Sequence, residues 1–90
     1  MKLNLDKCLL DLRGNPQEKT LSDILADILA MSSTMRPAQT MTWAYDLVKN
    51  GEMEIKKEDV EFIIDLVKKN TMFIDLAKAQ LIEELDKLKE

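Results

Sequence analysis

Apolar residues recur along this chain at two spacings, and the change between them divides it. Over the first twenty residues the spacing is short. Leu3 and Leu5 alternate with polar residues, and Cys8, Leu9, Leu10 and Leu12 follow. Arg13-Gly14-Asn15-Pro16 reads as a turn, because Gly and Asn tolerate positive φ and Pro interrupts strand pairing. Residues 1–20 therefore predict a short extended arm or β-hairpin. A lone hairpin is marginal in water, so the arm is expected to pack on the elements that follow.

From residue 21 onward the period is helical. Leu21, Ile24, Leu25 and Ile28 form a one-sided stripe. That helix begins after Thr20, whose hydroxyl can cap the first turn, and ends near Met31–Ser33. A second helix starts at Pro37, which suits a first turn, and stops at Asn50-Gly51, where glycine can take the left-handed cap. Met53-Glu54-Ile55 reads as a brief extended link. A third helix covers Lys57–Lys69, with Ile55 and Val60 at the spacing of a hydrophobic staple. A fourth runs from about Met72 to Leu88, with Ile74, Ala77, Leu81, Leu85 and Leu88 as its stripe. The predicted fold is mainly α: a small four-helix domain over residues 21–90, with the arm 1–20 packed on it as part of the same domain.

Helices two, three and four carry apolar residues on two opposite faces. With Met41 at zero and about 100° per residue, Ala44, Tyr45 and Val48 fall within about 60°, while Trp43 and Leu47 fall near 200° and 240°. The same arithmetic sets Phe62 and Leu66 opposite Val60, Ile63, Ile64 and Val67. On the fourth helix Met72, Leu76 and Ala79 lie opposite the long stripe. Either these helices each touch two neighbours in one bundle, or one face is covered by another molecule. On the second reading Trp43, Leu47, Phe62 and Leu66 are the candidate protein interface, because buried aromatics carry much interface energy. The six methionines fit an adaptable surface or an ordinary core.

Ninety residues fit one domain, and a composition 46% hydrophobic and 33% charged is that of a folded chain. Net charge is −4, and residues 52–90 (seven basic, eleven acidic) account for that value. Acids and bases are interspersed. No basic stripe exists to neutralise phosphates, so direct nucleic-acid binding is not expected. Helix two, Asn50-Gly51 and helix three do not make a DNA-reading pair, because the third helix opens with acids. No apolar run reaches membrane-spanning length and none resembles a secretory signal, which with one cysteine points to the cytoplasm.

Catalytic chemistry is not legible. There is no histidine, and the lone Cys8 cannot build a zinc site and reads as a buried, small apolar residue. Carboxylates are frequent, but Asp23 with Asp27, or Glu83 with Glu84, read as solvated helix faces. Gly14 and Gly51 are isolated, so no phosphate loop is present. No catalytic residue, cofactor or metal ligand is expected, and the chain is read as a non-enzyme.

Leu9-Leu10-Asp11-Leu12-Arg13-Gly14-Asn15-Pro16, followed by Lys19-Thr20-Leu21-Ser22-Asp23-Ile24-Leu25, resembles the opening of small, largely uncharacterised proteins of tailed phages and prophages, with their "LxDLxGxP"-like arm and "TLGD"-like helix start. Trp43-Ala44-Tyr45 and Lys57-Glu58-Asp59-Val60-Glu61-Phe62-Ile63 are similar to the later helices of those proteins. Ser22 stands where that pattern often has glycine, and the arm is shorter. The resemblance implies a phage-encoded accessory protein made in a bacterial host and carries over no catalytic residues. The expected function is a protein–protein interaction module that self-associates, as a dimer, or binds a phage or host protein. The alternative is an acidic regulator or inhibitor of a nucleic-acid-handling complex.

Overall fold

The computed structural model describes residues 1–89. The elements run β1 (Lys2–Asn4), β2 (Cys8–Leu10), β3 (Pro16–Thr20), α1 (Leu21–Met31), α2 (Pro37–Asn50), β4 (Glu52–Glu54), α3 (Lys57–Lys69) and α4 (Asp75–Lys87). The architecture is mainly α, with two antiparallel two-stranded sheets, β1–β4 and β2–β3.

The arm is two structures, not one. Only its second half forms a hairpin, with Cys8 opposite Thr20 and Leu10 opposite Pro16. Its first half pairs with β4, placing Leu3 opposite Met53. Ile55 N–H donates to Met1 O at 2.8 Å, and Leu5 N–H donates to Gly51 O at 2.8 Å. The expected link Met53-Glu54-Ile55 is therefore in part a strand. Its period-two pattern matches that of β1: Leu3, Leu5, Met53 and Ile55 are buried, while Lys2, Asn4 and Glu54 point to water.

Gly51 makes this pairing possible. It ends α2 in the left-handed conformation, with φ 72°, and its N–H returns to Leu47 O. A Cβ built there would stand 2.7 Å from Asp6 Cβ. Both the backbone sign and the close approach of the arm require glycine.

α1 is the central helix and corrects the one-sided reading. Leu21, Ser22, Ile24, Leu25, Ala26, Ile28 and Leu29 are all buried. Only Asp23, Asp27, Ala30 and Met31 are exposed. α1 packs against α2, α3, α4 and β3. Its only two charges lie on the exposed sector, and Ser22 and Ala26 are small enough to permit contact on a second side. Thr20 caps α1 as expected, its Oγ1 accepting Asp23 N–H at 3.2 Å.

α4 starts three residues later than expected. Asn70 Oδ1 accepts the N–H groups of Met72 and Phe73, which holds Met72–Ile74 in a turn. Ile74 is then exposed and leaves the stripe, whose buried members are Ala77, Leu81 and Leu85. Lys78 reaches back from α4 and donates to Asn70 O at 2.7 Å, capping the end of α3.

The two glycines should respond differently to alanine. Gly51→Ala is expected to cost about 2–4 kcal/mol, combining the left-handed φ with the Asp6 clash. Gly14→Ala, also at positive φ but with no atom within 4 Å, should cost about 1 kcal/mol. Urea denaturation of the two variants measures both.

Candidate interaction surfaces

The four residues expected to face a partner do not share a surface. Trp43 and Leu47 are 2% and 1% exposed and belong to the core of the single chain. Phe62 and Leu66 are half-buried and pack against that core. The correction has a chemical cause. Trp43 Nε1 donates to Glu54 O at 3.1 Å, so the indole fills the space between α2 and β4 while its polar atom satisfies the free edge of the strand.

Around Trp43 a compact group joins three elements. The Phe62 ring lies 6.3 Å from it, tilted by 54°. The Arg36 guanidinium stands 4.2 Å from the Phe62 centroid and 5.8 Å from that of Trp43. Its Nη1 donates to Asp59 Oδ1 at 2.9 Å. Asp59, in the first turn of α3, also accepts the Lys56 N–H through its other oxygen. Arg36 thus covers Phe62 with a stacked cation and ties the start of α2 to the start of α3. Leu66 lies elsewhere, in a shallow depression at the end of the bundle flanked by Met31 and Met72.

The face of α2 that does reach solvent is the other one. Tyr45 is 62% and Val48 66% exposed, Met41 is half-buried, and Ala38 is exposed. These positions lie within about 80° of one another around the helix. A sequence signal for this orientation exists. Lys49 falls about 40° from Tyr45, whereas the sector of Thr40, Trp43, Ala44 and Leu47 carries no charge. Fourteen residues of α2 include two charges, Asp46 and Lys49, while thirteen of α3 include seven. The exposed side of α2, with Lys49 at its border, thus carries fewer charges than that of α3.

Polar groups elsewhere serve the scaffold. Asp11 Oδ1 accepts the N–H groups of Asn15 and Arg13, and the Asn15 bond first of all holds its carboxyl below the usual carboxylate range. Lys7, then Lys87, lower Glu84, and Lys89 lowers Glu61. These shifts keep carboxylates ionised, as ion pairs and turns require, whereas a general acid needs the opposite shift. The expected burial of Cys8 is not found: the residue is exposed. Among the described residues no three His, Cys, Asp or Glu side chains group to hold a metal ion, and no helix is long and apolar enough to cross a membrane.

With this geometry the chain defines a small, mainly α class with paired two-stranded sheets. No protein-family model, curated protein or solved structure matches it.

Alanine at Trp43 and Tyr45 separates core from surface. Trp43→Ala should lower stability by about 3–5 kcal/mol, and Tyr45→Ala should stay within about 0.5 kcal/mol of the unsubstituted chain. Chemical denaturation in dilute solution reads both.

Proposed function

We propose that this chain is a non-enzymatic protein–protein interaction module that self-associates through the outer face of α2. The observation that carries the reading is the charge-poor stripe of Met41, Tyr45 and Val48, with Ala38 beside it. An apolar stripe along a helix gains free energy by being covered, and a tyrosine within it supplies a rigid contact with a polar tip. The dimer expected from the two-faced helices is thereby moved from Trp43, Leu47, Phe62 and Leu66 to the opposite side of α2. The resemblance of the arm and of the α1 start to small phage-encoded proteins supports an accessory role in a phage or prophage, exercised in the cytoplasm of the bacterial host.

The acids of residues 52–90 do not stand as an open phosphate-like row. Glu84 is held by Lys7 and Lys87, and Glu61 and Asp86 by Lys89. We therefore prefer association through apolar surface to action as an acidic regulator.

Light scattering after size exclusion, from dilute to concentrated protein, tests the reading. The mass should rise from one chain toward two. Tyr45→Lys with Val48→Lys should hold it at one chain without loss of helical signal. An unsubstituted chain that stays monomeric when concentrated, or a doubly substituted one that dimerises equally well, would overturn it.

A further inference from the structure

The fifteen residues from Asp6 to Thr20 contain no fully buried side chain. Leu9 alone among them packs partly against the core. Apolar burial, the main adhesive of the fold, therefore holds this hairpin only weakly. Its two ends are the opposite. Leu5 and Leu21 are buried, and their backbones are cross-linked: Leu21 N–H donates to Lys7 O and Ser22 N–H to Leu5 O.

Between those fixed ends the hairpin is ordered by polar bonds of two kinds. Some are internal. Asp11 N–H donates to Asn15 O, Gly14 N–H donates to Asp11 O, and the Asp11 carboxylate receives Arg13 and Asn15. The others fasten it to the body: Lys19 on β3 pairs with Asp27 of α1 at 3.4 Å and lies over the Phe73 ring, and the rest reach α4. Gln80 Oε1 accepts the Leu10 N–H at 3.1 Å, and Gln80 Nε2 donates to Leu10 O at 2.7 Å. The carboxamide thus presents to β2 the donor and acceptor that a neighbouring strand would present. Lys7 Nζ adds a 2.6 Å bond to Glu84, one turn along α4.

We infer that the β2–β3 hairpin is a strap, latched to α4 by Gln80 and Lys7–Glu84, that opens as a unit about Lys7 and Thr20 while the helical body stays folded. The internal bonds travel with the strap, and opening breaks the three latch bonds, the Lys19–Asp27 ion pair, the Lys19 contact with the Phe73 ring and the Leu9 contact. Water replaces each latch bond at small net cost. The body keeps its own core. Opening lifts Leu9 away from that core and bares the Leu10 N–H and C=O, which the closed strap keeps paired.

Hydrogen exchange of individual amides, followed by NMR on the full chain, tests this. The Leu10 amide should exchange roughly a hundredfold faster, relative to its unstructured rate, than Ile28 in α1 and Ile64 in α3. Gln80→Ala should accelerate Leu10 by roughly a further tenfold and leave Ile28 and Ile64 unchanged. Glu84→Gln, which weakens the Lys7 tie and, within α4, the Lys87 pair but leaves both Gln80 bonds, should act in the same direction and less strongly. Exchange of Leu10 only through global unfolding, with the same protection as the helices, would overturn the inference. So would a Gln80→Ala variant that leaves Leu10 unmoved or that loosens strap and body alike.

Discussion

The fold depends on one long-range tie, the pairing of β1 with the connection between α2 and α3. Leu5 and Gly51 are joined by a backbone hydrogen bond across forty-six residues of sequence, and Met1 and Ile55 continue the ladder. Closing a loop of that length costs only slightly more entropy than closing one half as long. In return Leu3, Leu5, Met53 and Ile55 enter a common core with α1 and α2. The tie also fixes the edge of β4 against which Trp43 places its N–H. From Trp43 the order passes through Phe62 and Arg36 to Asp59, and so to the first turn of α3.

What was legible in the sequence was local. Thr20 as cap, Pro37 as a first turn, Gly51 as a left-handed stop and the bounds of α3 all rest on residues within one turn of each other, where backbone chemistry decides. What was not legible was pairing and facing. The period-two runs at Leu3–Leu5 and Met53–Ile55 are each too short to announce a partner, and neither turn chemistry nor spacing links them. The facing of α2 is ambiguous in the sequence because both of its sides are apolar. Trp43 has the chemistry of an interface anchor and also that of a core residue with a nearby acceptor. Lys49 on the Tyr45 side was the deciding mark.

The same tie separates rigid from loosely held parts. Below it, α1 is buried on most of its circumference and holds the helices in place. Beyond it, the β2–β3 hairpin and the outer face of α2 lie at the surface, the first held by polar bonds and the second by nothing within the chain. The arm divides at Asp6: residues before it are structural and those after it are peripheral.

The most direct test of this account is the cross-strand register of β1 and β4, read from Hα–Hα nuclear Overhauser effects. The observed pairing makes Lys2–Glu54 and Asn4–Glu52 the close, non-hydrogen-bonded pairs. The account predicts a strong cross-peak for each. Random-coil shifts over residues 2–5 beside an intact helical body, with neither cross-peak present, would contradict it.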